Sequence, residues 1–166
     1  MPLSHELENR IRAEFPKYPE KRAVLLTALH FVQEEQGGWV APDCILAIAG
    51  LLEIDPIDVK EVVSFYHMFH DHAVGQSHLQ VCTNLSCSMR GARGLVRGLE
   101  EILGVRPGEM TPGGEFSVEE VQCLGSCGSA PVVQVNNEPF LENVALADLK
   151  SLVAGLQTRR SAAVGE

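Results

Sequence analysis

The chain has 166 residues, 45% of them hydrophobic and 21% charged, and a formal net charge of -9. That length suits one ordinary domain or two small ones packed together. The acidity, with no Lys/Arg run anywhere, excludes a nucleic-acid binder, because phosphate recognition needs a basic face.

The opening Met1-Pro2-Leu3-Ser4-His5-Glu6 is polar and charged, unlike the apolar core of a signal peptide or an arginine-rich import leader. No apolar run approaches the roughly 20 residues of a membrane helix. A cytoplasmic protein without direct membrane contact is therefore expected, with any membrane association supplied by a partner.

Residues 1–75 read as helical, cut into four segments. A helix over Ser4 to Glu14 puts Leu3, Leu7 and Ile11 on one stripe and stops at Phe15-Pro16. A second, Pro19 to Gln36, spaces Val24, Leu25, Ala28, Leu29 and Val32 helically and ends at Gly37-Gly38. Pro42 opens a third, through Leu52, in which Cys44 is a core residue. Asp55 caps a fourth that begins with Pro56 and carries Val59, Val62, Val63 and Phe65-Tyr66 towards His70. Such stripes predict a four-helix bundle. Asp43, Asp55 and Asp58 read as caps or first-turn charges.

After residue 75 the period changes. His78 to Val81 alternates as a strand with Cys82 at its carboxyl end, Arg90 to Leu103 is an amphipathic helix capped by Gly104, and Pro107-Gly108 and Pro112-Gly113-Gly114 mark a long loop. A second strand, Glu115 to Gln122, delivers Cys123. Pro131 to Val135, Asn136-Asn137 and Glu138 to Leu141 read as a hairpin, and Leu146 to Leu156 as a last helix. The order predicts an α/β chain: the helical bundle over 1–75, a thioredoxin-like domain over 76–157, and a flexible tail over 158–166.

Chemistry concentrates in two cysteine pairs, Cys82-x4-Cys87 and Cys123-x3-Cys127. One strand-helix-strand crossover makes its strands parallel and puts their carboxyl ends on the same edge, so the pairs should converge there. Four thiols in a reducing compartment are most economically metal ligands. Their spacing favours a 2Fe-2S cluster, each pair chelating one iron beside the Gly/Ser-rich Leu124-Gly125-Ser126 and Gly128-Ser129. Structural zinc is a second reading, making the chain a zinc-stabilised interaction domain. Dithiol redox chemistry is a third, although it calls for a Cys-x-x-Cys that neither pair supplies.

A ligated cluster carries about -2, and about -3 once reduced. Arg90 and Arg93, in the first turns of the helix after Cys87, are expected to compensate that charge, Arg90 by raising the reduction potential; the alternative is a solvated arginine. His67 and His70, at i and i+3, with His72 and His78, read mainly as solvated or interface histidines rather than a second metal site. Phe65, Tyr66, Met68 and Phe69 supply either a docking surface or a core contact. Neither a dinucleotide fingerprint nor a P-loop is present, so the chain shows no NADH, flavin or quinone site and no catalytic residue of its own.

The runs Val81-Cys82-Thr83-Asn84-Leu85-Ser86-Cys87 and Val121-Gln122-Cys123-Leu124-Gly125-Ser126-Cys127-Gly128-Ser129-Ala130-Pro131, with Pro107 to Gly114 between them and Gly37-Gly38-Trp39-Val40 and Val63-Ser64-Phe65-Tyr66 upstream, closely resemble one family of NADH-quinone oxidoreductase subunits, the thioredoxin-like 2Fe-2S subunits of respiratory complex I. The resemblance implies that Cys82, Cys87, Cys123 and Cys127 bind one 2Fe-2S cluster. It implies a partner subunit that holds FMN and oxidises NADH, single-electron exchange with that flavin, and a peripheral position on the cytoplasmic side of the inner membrane. NAD-linked hydrogenases and formate dehydrogenases use the same module, and nothing in this sequence separates these assemblies.

Overall fold

A computed structural model of the chain describes residues 3–138 and 140–163, with 159–163 by backbone alone. It divides into two compact units, the first ending at Ala73 and the second beginning at Val74, two residues before the expected boundary. No described helix is long and apolar enough to cross a membrane.

The first unit contains α1 (His5–Arg12), α2 (Leu25–Glu35), α3 (Pro42–Leu52) and α4 (Pro56–Phe65). Side chains close two of the helix starts: Ser4 Oγ accepts the Leu7 N–H at 3.1 Å, and Asp55 Oδ1 accepts the Ile57 N–H at 3.0 Å. The second helix starts later than its apolar spacing suggests. Tyr18, before Pro19, and Glu20 are both extended, and a 3₁₀ turn over Lys21–Val24 precedes the α-helix. One apolar core joins Leu7, Ile11, Val24, Leu29, Val32, Ile48, Leu52, Val59 and Val63. Cys44 is fully buried in that core, as expected, and burial pushes its thiol up.

The fourth helix, expected to run towards His70, stops at Phe65, and of the two readings of Phe69, docking surface or core contact, the core contact is the one found. Beyond Phe65 the chain is no longer helical, so His67 and His70 share no helix face. Phe69 is 5% exposed, packed edge-on against His30 and Tyr66, which makes it core; only Phe65, at 74%, stands well out of the surface. The segment is fastened by Gln33, whose Nε2 donates to the Met68 carbonyl at 2.7 Å while its Oε1 accepts the His70 N–H at 2.9 Å. A buried amide satisfied at both ends fixes a non-helical stretch that apolar spacing alone describes poorly.

The second unit is built on a three-stranded sheet of order β2-β1-β3. β1 (Ser77–Cys82) pairs in parallel with β2 (Phe116–Val121), His78 opposite Ser117 and Cys82 opposite Val121. β3 (Val133–Val135) lies antiparallel on the other side of β1. Asn136 and Asn137 both have positive φ, +53° and +58°, the conformation a two-residue hairpin turn demands. The expected return strand shrinks to one bridge, Val133 with Leu141, and Pro139 lies outside the described residues.

The helix expected over Arg90 to Leu103 is α6 (Ala92–Leu103), and a short α5 (Leu85–Met89) that apolar spacing did not suggest precedes it. Gly91 separates them at φ +97°, a left-handed conformation that only glycine adopts cheaply. Leu95, Val96 and Leu99 of α6 share the second core with Leu79, Val81, Phe116, Val118, Val133 and, from α7 (Leu149–Ala163), Leu149 and Val153. α7 runs past Leu156, so the tail expected from residue 158 is helical through Ala163, and 164–166 lie outside the described residues.

His78 reads the strand register directly. Its ring is buried and bonded through Nδ1 to Ser117 Oγ at 2.7 Å and through Nε2 to Glu119 Oε2 at 2.9 Å, both on β2. The same Ser117 hydroxyl accepts the Gly75 N–H at 2.8 Å, drawing the chain so close that a Cβ on Gly75 would lie 2.3 Å from the Phe116 carbonyl carbon. Gly75→Ala should therefore destabilise the chain by about 1–3 kcal/mol through a forced backbone shift. Gly50→Ala, in α3 with no atom within 4 Å of the added Cβ, should stabilise by about 0.5–1 kcal/mol. Urea denaturation checks both, and an unchanged midpoint for Gly75→Ala contradicts the close approach.

Candidate metal centre

The parallel pairing of β1 and β2 decides where the thiols go. Cys82 ends β1, and Cys123 follows β2 by two residues, so both leave the carboxyl edge of the sheet. Each then enters a short loop that returns a second thiol. On the first side, Asn84 Oδ1 accepts the Leu85 N–H and starts α5, while Ser88 Oγ donates to the Thr83 carbonyl at 2.7 Å. That closed turn carries Cys87. On the second side, Gly125 at φ +80° reverses the chain and Cys127 opens a 3₁₀ turn over Cys127–Ser129.

The two pairs differ in depth. Cys82 and Cys87 are buried, at 3% and 2% exposure, whereas Cys123 and Cys127 face solvent, and none of the five cysteines forms a disulfide. The four form one connected set. The thiols of Cys87 and Cys123 both bear on Cys82, and Cys127 bears on Cys87.

Backbone amides converge on the sulfurs. Cys82 accepts the N–H groups of Asn84 and Leu124, Cys87 accepts that of Val132, and Cys123 accepts that of Gly125 at 3.4 Å. Their effect shows in the acidities. Burial pushes the Cys82 thiol up, but the Asn84 and Leu124 amides and the neighbouring thiols outweigh it and hold Cys82 below the ordinary thiol range. Burial and the Cys82 sulfur both push Cys87 up.

This donor set suits a sulfur-ligated metal, since thiolates are the ligand form and amide N–H groups stabilise anionic sulfur where no cation does. Thiolates spaced as two short pairs can hold either a single zinc or the two irons of a cluster.

The remaining candidates go elsewhere. Arg90 lies at the C-terminus of α5, its backbone N–H donating to the Ser86 and Cys87 carbonyls and its side chain exposed, so only Arg93 sits in the first turn of α6. His67 is exposed, His72 is exposed and bonded to Asp71, and His78 serves the β1–β2 pairing. The amides of Asn84, Leu124 and Val132 escape a reading by residue type, because a backbone donor has no signature in the side-chain alphabet. The glycines and serines of the loops were the one available signal.

A family model described as "Thioredoxin-like [2Fe-2S] ferredoxin" matches residues 11–157. The chain is 48% identical over 145 residues to the NADH-quinone oxidoreductase subunit 2 of Thermus thermophilus, covering 86% of this chain and 80% of the relative. It is 35% identical to an NADH-quinone oxidoreductase subunit of Rhizobium meliloti, covering 96% and 99%. A solved NAD+-reducing [NiFe]-hydrogenase shares the fold at a TM-score of 0.70 and 19% identity, matched over 81% of this chain and 22% of that one. With four thiols gathered at one sheet edge and the family model spanning both units, the chain belongs to the thioredoxin-like [2Fe-2S] ferredoxin family.

Proposed function

We propose that this chain is the electron-carrying subunit of an NADH:quinone oxidoreductase, with one 2Fe-2S cluster on Cys82, Cys87, Cys123 and Cys127. The observation that carries the proposal is the convergence of four thiols, met by backbone N–H donors, at the carboxyl edge of the β1–β2 pair. When bound, the cluster supplies reversible one-electron storage. The chain's own residues hold it. Cys82 and Cys87 anchor it in the core, the Asn84, Leu124, Val132 and Gly125 amides oppose its negative charge, and Cys123 and Cys127 keep one side near solvent, where a redox partner can approach.

The partner in this reading is the subunit that holds FMN and oxidises NADH, placing the assembly on the cytoplasmic side of the inner membrane. Identities of 48% and 35% to NADH-quinone oxidoreductase subunits favour that assembly over a hydrogenase, with which the chain shares the fold. We read the first unit as a small four-helix bundle that widens the contact with this partner. Leu85 and Met89, one turn apart on α5 and 71% and 79% exposed, flank Cys87 and offer the apolar contact nearest the cluster.

Protein purified anaerobically should contain iron and labile sulfide in equal amounts, with a rhombic EPR signal on reduction. Single serine replacements of the four cysteines should each cut iron content at least several-fold, and a colourless protein with one zinc per chain would overturn the assignment. Leu85→Glu with Met89→Glu should weaken binding of the flavin-bearing subunit about tenfold or more while iron content stays unchanged, as read by co-purification and iron analysis. Arg90→Ala should lower the midpoint potential slightly and in a salt-dependent way; a midpoint unmoved at low ionic strength makes Arg90 a solvated charge.

A further inference from the structure

The loop between Cys123 and Cys127 is braced from outside by a segment that carries no thiol. The Glu142 carboxylate accepts a hydrogen bond from Ser126 Oγ at 2.6 Å, and Ser126 Oγ shares a 2.7 Å bond with Ser129 Oγ. Ser129 Oγ also donates to the Ser126 carbonyl at 3.2 Å. The backbone on either side is laced to the same loop, with Asn143 N–H donating to the Ser129 carbonyl at 2.8 Å and Val144 N–H to the Pro131 carbonyl at 3.1 Å. Ser126 immediately precedes Cys127 and Ser129 follows it by two, so the carboxylate is tied to both shoulders of one thiol. The Ser126 and Ser129 hydroxyls hold the Glu142 carboxyl below its ordinary range, so it stays charged at neutral pH.

A carboxylate in that place is unusual company for a site that gains negative charge on reduction. An exposed glutamate on a free side chain would be averaged and screened by solvent, whereas one hydrogen-bonded to Ser126, itself bonded to Ser129, presents its charge in a constant direction. The bonds also substitute for core packing in a loop that has little, since Cys123, Gly125, Cys127 and Gly128 are all exposed. Two consequences follow from one side chain, and the neutral isostere separates them. Glutamine keeps an acceptor for Ser126 without the charge.

Resting on the reading of the four thiols as cluster ligands, we infer that Glu142 is a positioning residue of the cluster, its carboxylate clamping the Cys127 loop through Ser126 and Ser129 and its charge opposing reduction. The test uses the full chain carrying its cluster. Redox titration followed by EPR at low and high ionic strength gives the midpoint, and the rate of bleaching in excess chelator gives loop integrity. Glu142→Gln should retain full iron and bleach at the native rate, yet shift the redox equilibrium towards the reduced form by about three- to tenfold, tenfold being about 59 mV for one electron. The shift should shrink at high salt. Glu142→Ala should show the same upward shift and bleach several-fold faster, and Ser126→Ala should bleach faster as well. An iron-loaded Glu142→Gln protein with an unmoved midpoint at low salt overturns the electrostatic role, and native bleaching of Glu142→Ala overturns the clamp. Absence of iron from the unmutated chain would instead defeat the cluster reading itself.

Discussion

Parallel pairing of β1 with β2 is the constraint on which the rest depends. Parallel strands need a crossover, the crossover brings both strands out at the same edge, and the register that sets Cys82 opposite Val121 leaves Cys123 two residues further on. Residues far apart in sequence become neighbours without any bond between them. A shift of one residue would turn Cys82 to the opposite face of the sheet and scatter the set. The polar rung of His78 with Ser117 and Glu119 works against such a slip, because a buried imidazole needs its partners and finds them in one register only.

The second theme is how an acidic chain gathers anionic sulfur. It does so mainly with dipoles. The Asn84, Leu124, Val132 and Gly125 amides point at the thiols, and such donors, fixed by loop geometry, need no counter-ion and are scarcely affected by salt. Of the arginines that look like compensation in the sequence, Arg90 is solvent-exposed at a helix end, where salt screens its charge. The break at Gly91 matters here. It keeps α5 a short element of its own, with Cys87 buried in a closed turn against the core, apart from the amphipathic α6.

Legibility follows the range of the force involved. The apolar stripes of α1, α3, α4 and α6 were readable because burial acts with a helical period, and the cap Asp55 because its bond spans two residues. The late start of α2 and the short α5 ahead of α6 were not, since both turn on backbone angles that apolar spacing ignores. Phe69, open between surface and core in the sequence, is core, because His30, which packs against it, comes from α2, more than thirty residues away. Glu142 was silent for the same reason, lying sixteen residues beyond the serine it holds.

The sequence by itself determined the four thiols, their pairing by short spacing, and the α/β order that makes one crossover and hence one shared edge. These depend on local periodicity and on chirality, which every residue carries with it. Tertiary structure decided that one thiol pair is buried and the other exposed, which backbone amides meet the sulfurs, and that a distant carboxylate braces the outer loop. Depth and hydrogen-bond partnership are properties of what packs alongside, and the chain specifies them only when its distant segments have met.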